Sequence, residues 1–197
     1  MKHQGNISKI KITPDMCVDV VIGGSPCQDL SIAGSQRGLS GERSGLFMEQ
    51  IRIIREMRET SERTGRTDVD VQCRYAVWEN VPGALSSNKG EDFRTVLEEF
   101  CRIKDANAVI PKPKGGKWAN AGTIMGDGYS VAWRVMDAQF WGVPQRRRRI
   151  ALVADFAGQT AAEVLFKRKG LSRHYQQSKQ EKKAAAGDAE NCFDGCG

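Results

Sequence analysis

The sequence predicts an α/β fold: an open, mostly parallel sheet with helices on both faces and an antiparallel hairpin at one edge. Three observations lead there. Short apolar runs closed by Gly or Pro alternate with longer segments of helical period. The first of these runs, Cys17 to Gly24, reads as a buried parallel strand ended by Gly23-Gly24. The last two runs, Tyr129 to Ala138 and Arg149 to Ala154, are joined by about ten residues. That leaves no crossover helix between them, which favours an antiparallel hairpin at the edge of the sheet.

The remaining elements follow in order. Residues 25–43 are rich in Gly, Ser and Gln without apolar period, which predicts a long polar loop with a functional role. Ser44 can cap a helix over residues 45–58, with Phe47, Ile51 and Ile54 on one face. Residues 59–70 read as polar linker. Tyr75 to Trp78 is a second strand, and Pro82-Gly83 stops its extension. Phe93, Val96, Leu97, Phe100 and Ile103 recur at helical spacing. Residues 112–116 form a loop, and Gly126-Asp127-Gly128 a turn. After Phe156 come one weak helix and a Lys/Gln/Ala/Gly-rich flexible tail, so 1–156 is expected to be the catalytic part and 157–197 an appendage.

At 197 residues the chain has room for one domain with a sizeable core. No apolar run approaches the roughly 18 residues that cross a bilayer, and no secretory signal opens the chain. A cytoplasmic setting without a membrane partner is expected. The net charge of +6, from 30 basic against 24 acidic residues, favours polyanionic partners modestly. Arg146 to Arg149 are an unbroken cationic run, whereas the lysines after residue 166 read as a solvated tail. Six cysteines at irregular spacing are expected to be reduced, with Cys17, Cys73 and Cys101 as small core residues. The two histidines, His3 and His174, give a metal site little support, and none is expected.

Three signatures carry chemistry. Ser25-Pro26-Cys27-Gln28 follows the first strand, where open α/β sheets place ligands at the carboxyl ends of their strands. Cys27 there is either an exposed nucleophile, needing a thiolate, or a buried structural thiol. Glu79-Asn80-Val81 ends the second strand at the mouth of the same sheet. Glu79 is either a surface carboxylate or a proton donor to a ring nitrogen, and Asn80 can brace the loop through backbone hydrogen bonds. The arginine run leads into a strand, so Arg147 and Arg149 share one face and Arg146 and Arg148 the other. Two guanidiniums on one face can anchor a carbonyl, or the whole run can meet phosphate.

In order and wording these motifs resemble the DNA (cytosine-5)-methyltransferase family over residues 5–156. The resemblance implies a Rossmann-like sheet that uses S-adenosylmethionine, with Cys27 as nucleophile, Glu79 as partner of cytosine N3, and Arg147 and Arg149 as the base-anchoring and structural pair. Cys27 would add at carbon 6 while N3 is protonated. The resulting enamine would take the sulfonium methyl at carbon 5, and loss of the carbon 5 proton would expel Cys27. The cytosine must leave the duplex for this, so double-stranded DNA with a flipped base is the implied substrate. Gln28, Ser31, Gln36 and Arg37 would contact the DNA. Asn6, Ile7, Pro26 and Leu46 would line the cofactor site, with Asn6 where the family carries Asp.

The family's Phe-x-Gly-x-Gly segment, which ends its first strand, has no counterpart ahead of the Cys27 strand. Residues 157–197 are too few and too polar to supply a target-recognition region and a closing helix. The expectation is therefore a partial domain lacking its first strands, an incomplete cofactor site, little activity alone, and a complementing chain as a candidate partner. A restriction-modification or phage setting fits such a chain. Two alternatives stand beside this reading: a tRNA cytosine-5 methyltransferase, and a non-catalytic DNA-binding remnant.

Overall fold

The computed structural model describes residues 3–25, 45–67, 70–142 and 144–166. Five strands form one mixed sheet: β1 (Val20–Gly23), β2 (Tyr75–Asn80), β3 (Ala121–Gly126), β4 (Tyr129–Asp137) and β5 (Arg148–Asp155). Their spatial order is β1-β2-β5-β4-β3. Strands β1 and β2 run parallel, with Gly23 opposite Trp78. Strand β5 lies antiparallel to β2, and β3 antiparallel to β4. The α/β class is as the sequence indicates, with a smaller parallel share. The hairpin strand β5 sits inside the sheet rather than at its edge.

Strand β3 was not legible because Ala121-Gly122-Thr123-Ile124-Met125-Gly126 has little strand propensity. Its glycines make room for aromatics across the ladder. A Cβ on Gly122 would stand 2.2 Å from the Trp133 ring, and one on Gly126 would stand 2.1 Å from Tyr129. Strand β1 is parallel as read but not buried. Val20 is 45% and Ile22 74% exposed, because among the described residues β1 pairs only with β2.

Helix α1 (Gly45–Arg63) runs five residues beyond the expected end at 58. Arg58, Thr60 and Ser61 continue its buried face with polar side chains, which hides the helical period. Ser61 Oγ accepts the Gln72 N–H at 2.9 Å, and Gly65, at φ 86°, turns the chain out of the helix. Helix α2 (Glu91–Cys101) starts behind left-handed Gly90, with Glu91 and Asp92 complementing its positive end. Phe93, Val96, Leu97 and Phe100 are fully buried on its inner face.

Phe47, Ile51 and Ile54 of α1 and these α2 residues cover the sheet face made by Ala76, Trp78, Ile150 and Leu152. Aromatic rings interlock there: Trp78 meets Phe93 at 6.1 Å, and Phe93 meets Trp118 and Trp133 edge-on at 5.7 and 5.6 Å. Each large side chain so buried contributes about 1.5–3 kcal/mol. The opposite face carries a smaller cluster in which Tyr75, Val77, Val153, Leu165 and Phe166 join α3 (Ala161–Phe166).

The lower end of β5 is fixed by Asp155, whose side chain is 0% exposed. It accepts from Arg74 Nε at 3.0 Å and Nη2 at 3.3 Å, from the Ala157 and Thr160 amides, and from Thr160 Oγ1. Burial pushes this carboxyl up, but the hydrogen bonds from Arg74, Thr160 and Ala157 outweigh it and hold it below the ordinary carboxylate range. The chain divides into two compact units, Met1–Met136 with Arg149–Phe166, and Asp137–Arg148 with Lys167–Gly197. No described helix is long and apolar enough to cross a membrane.

Candidate active site

The carboxyl ends of β1 and β2 lie side by side, because the parallel register sets Gly23 against Trp78. The next residues of β1's chain therefore run past Glu79 and Asn80. A Cβ on Gly24 would stand 3.2 Å from the Glu79 carbonyl oxygen and 3.3 Å from its Oε2, so the glycine permits a close approach. A Cβ on Gly23 would collide with Gln50, which is buried and donates from Nε2 to the Val77 carbonyl at 3.2 Å.

Ser25 is held by two inward-facing residues of β2. Trp78 Nε1 donates to Ser25 Oγ at 3.2 Å, and Asn80 Nδ2 donates to the Ser25 carbonyl at 2.9 Å. Asn80 Oδ1 in turn accepts the Val81 N–H at 2.8 Å. Alternation along the strand puts Trp78 and Asn80 in the core and Glu79 outside it. One side chain thus ties together the ends of two strands, which is the bracing role expected of Asn80. The segment it grips ends two residues before Cys27.

Glu79 and Arg149 form an ion pair, with Arg149 Nε 2.8 Å from Glu79 Oε1. The antiparallel register explains it. Glu79 faces Ala151 across the ladder, so Arg149 is the diagonal neighbour on the same sheet face. Their side chains are 48% and 31% exposed, so the pair stands at the surface and can meet a ligand. Arg147 lies one residue before β5, in the other unit. It is exposed, and its backbone N–H donates to Asp137 Oδ1 at 3.2 Å. Cys27, Pro26, Gln28, Ser31, Gln36 and Arg37 lie outside the described residues, as does Ser44.

Of the expected cofactor contacts, Ile7 and Leu46 meet in one cavity of 190 Å³ with Val21, Gly23 and Ile53 among its walls. That is smaller than the roughly 300–1,000 Å³ that encloses a whole drug-sized ligand. The described walls therefore fit one apolar flank of an S-adenosylmethionine molecule rather than all of it. Asn6 is not a wall of this cavity. Its Oδ1 accepts the Ser8 N–H at 3.0 Å and caps a short turn, leaving a second lone pair for another donor.

Sequence reasoning missed Arg52, which anchors the segment carrying Asn6 and Ile7. It donates to the Ile7 carbonyl at 2.9 Å and the Ile10 carbonyl at 3.2 Å while pairing with Glu49 and Glu56. Charges at helical spacing, such as Glu49, Arg52 and Glu56, carry no local signal that one of them anchors a distant segment. Cys17, Cys73 and Cys101 are buried, as expected of core thiols. Burial pushes Cys73 up to about 12 and Cys101 up to about 11, so neither ionises near neutrality. Among the described residues no three His, Cys, Asp or Glu side chains group as a metal site.

The family profile described as C-5 cytosine-specific DNA methylase matches residues 1–104 and 121–192. A protein of Escherichia phage P1 named DNA N-6-adenine-methyltransferase is 32% identical, over 85% of this chain and 24% of its own length. The DNA (cytosine-5-)-methyltransferase M.ApeKI of Aeropyrum pernix is 33% identical, over 71% of this chain and 28% of its own. The type II methyltransferase M.BsuFI of Bacillus subtilis is 30% identical, over 77% and 28%. The crystal structure of S. pombe Dnmt2 methyltransferase overlays with a TM-score of 0.42 at 16% identity, covering 86% of this chain and 42% of that one. The chain spans about a quarter of the length of the curated relatives it matches.

Proposed function

The chain belongs to the C-5 cytosine-specific DNA methylase family, and on that premise we propose that its site methylates carbon 5 of cytosine in DNA through a transient thioether at Cys27. The observation that carries this is the Glu79–Arg149 pair, set beside Gly24-Ser25 only two residues ahead of the thiol. A carboxyl and a guanidinium on one sheet face can grip a pyrimidine by N3 and O2 together.

Carbon 5 of cytosine is a poor nucleophile until electrons enter the ring. The Cys27 thiolate adds to carbon 6, and the Glu79 carboxyl gives N3 a proton as charge develops there. Arg149 orients Glu79 and holds the O2 edge, and Arg147 positions the neighbouring groups. S-adenosylmethionine, when bound, supplies the methyl that the activated carbon 5 accepts. Transfer of the carbon 5 proton to water then lets the ring electrons expel Cys27 as the thiolate that entered, and N3 returns its proton to Glu79, restoring the aromatic ring. Asn80 and Trp78 keep the segment leading to Cys27 in place throughout. Ile7 and Leu46 would hold one flank of the cofactor. This polypeptide spans only about a quarter of the length of these relatives, so alone it should turn over plain duplex DNA slowly.

The name of the phage P1 relative raises a second reading, methylation of the adenine amino group. That nitrogen can attack a methyl directly and needs no thiol. DNA containing 5-fluorocytosine, incubated with the chain and S-adenosylmethionine, separates the readings. A denaturant-stable complex that is lost in Cys27→Ser supports the proposal. Adenine methylation that survives Cys27→Ser overturns it. An adduct on fluorocytosine RNA alone would point to a tRNA substrate, and DNA binding without any adduct to a non-catalytic remnant.

A further inference from the structure

The cavity at the carboxyl end of β1 contains a group that the catalytic reading does not use. Its described walls are largely apolar, with Ile7, Val21, Leu46 and Ile53 among them, and none of them carries a charge. Ser25 and Gln50 supply the polar side chains. Gln50 is only 5% exposed, because α1 carries it on the face that buries Phe47, Ile51 and Ile54. A Cβ on Gly23 would meet Oε1, Cδ and Nε2 alike, so the amide packs on bare backbone in space that glycine leaves open. Nε2 donates to the Val77 carbonyl at 3.2 Å, which takes one of its two N–H groups. That bond also fixes which way round the amide sits. Turned over, Oε1 would face the Val77 carbonyl, acceptor against acceptor. The second N–H and Oε1 remain for the cavity, as one donor beside one acceptor in a set order.

A ligand group that suits these walls is uncharged, apolar on its faces, and carries a donor next to an acceptor on its rim. The sulfonium and amino-acid end of S-adenosylmethionine is charged, and its ribose is ringed by hydroxyls, so neither belongs against uncharged apolar walls. Adenine meets the description, since N6 donates and N7 accepts along one edge, the pattern a glutamine amide matches with two hydrogen bonds. We propose that Gln50 is a specificity-determining residue whose amide pairs with the N6–N7 edge of the cofactor's adenine, in the orientation that Val77 dictates. A 6-oxo purine puts an acceptor where N6 donates, and the fixed amide cannot turn to suit it. This rests on S-adenosylmethionine being the cofactor. It adds a reader of the base on α1, apart from Asn6, which is not a wall of the cavity.

Titration calorimetry of the full 197-residue chain tests it with three probes: S-adenosylhomocysteine, its 6-oxo analogue S-inosylhomocysteine, and its 7-deaza analogue, which lacks the N7 acceptor. The parent should bind S-adenosylhomocysteine about 10- to 100-fold more tightly than the 6-oxo analogue, because a buried polar group left unpaired is costly. It should bind the 7-deaza analogue about 10-fold more weakly, a loss to which Asn6 Oδ1, as an acceptor, cannot contribute. In Gln50→Leu the adenosyl and 7-deaza compounds should bind within about twofold of each other, and the preference over the 6-oxo compound should shrink at least about 10-fold. Thermal melts report whether this variant folds, and the three affinities of the parent decide the matter even where it does not. A parent that binds all three within about twofold overturns the proposal and leaves the cofactor reading standing. Preferences that survive unchanged in Gln50→Leu overturn it too, and assign the reading of the base to another residue. No binding of any probe by the folded chain sinks the cofactor reading and the proposal together.

Discussion

Replacing Asn80 by Asp changes one atom and tests how the reactive segment is held. Asn80 is 3% exposed, and its Nδ2 donates to the Ser25 carbonyl at 2.9 Å. An introduced carboxylate keeps the acceptor for Val81 N–H but sets two oxygens against each other in a buried place. Losing a buried hydrogen bond and orphaning the carbonyl costs about 1–3 kcal/mol, and burying unpaired charge adds to it. A total of about 3 kcal/mol lowers the melting temperature by roughly 6–12 °C for a chain of this size.

The pH dependence has a definite sign. Burial beside a carbonyl raises the introduced carboxyl above its unfolded value of about 3.9. The protonated form can donate to Ser25, so the deficit relative to the parent should shrink as pH falls through the raised value. Thermal melts at several pH values give the stability, and capture by fluorocytosine DNA reports the position of Cys27. Capture should slow far more in Asn80→Asp than the unfolded fraction explains. A variant that melts within about 1 °C of the parent at pH 7.5 and is captured at the parental rate would refute the anchoring role.

Other measurements address the remaining groups. Glu79→Gln should change stability by less than about 1 kcal/mol, because the pair with Arg149 is largely solvated, yet slow capture about 10²- to 10⁴-fold. Equal losses in both readouts would make Glu79 structural. Asp155→Asn should cost about 2 kcal/mol at pH 7, less than a fully buried pair, since the Arg74 side chain remains 30% exposed. The parent carboxyl titrates lower folded than unfolded, so its stabilisation is present above about pH 4 and disappears as pH falls through the folded value. Chemical denaturation between pH 2.5 and 7 should show a flatter acid limb in Asp155→Asn. Iodoacetamide at pH 8 should leave Cys73 and Cys101 unlabelled in the native chain and label both in urea, and native labelling of either would contradict their burial.

Much of the site was legible because strand alternation is a local property. Glu79 follows an apolar pair at a strand end, and its position outside the core is what that pattern requires. The Arg149 partnership was half visible. The arginine run shows which residues share a face, but only the register between β2 and β5 makes Glu79 and Arg149 diagonal neighbours. The Trp78–Ser25–Asn80 clamp was less visible still, since it joins residues more than fifty positions apart in the chain. Elements built on glycine or polar burial escaped the apolar period. Strand β3 depends on Gly122 and Gly126 receiving rings from β4, and the last turns of α1 bury Arg58, Thr60 and Ser61. Arg58 succeeds there because Cys73 and Phe156 offer it backbone carbonyls, which no local pattern announces.

The single-residue rhythm of β2 makes this stretch intolerant of a shift in reading along the ladder. Inserting one amino acid between Ala76 and Trp78 would swing Glu79 toward the aromatic core and throw Trp78 and Asn80 outward, releasing Ser25 in the same event. Inserting two would restore inside and outside but carry the carboxylate about 6–7 Å past Arg149. A change in length is therefore accommodated only in the connections on either side of this strand, where it leaves the spacing between acid and base anchor undisturbed.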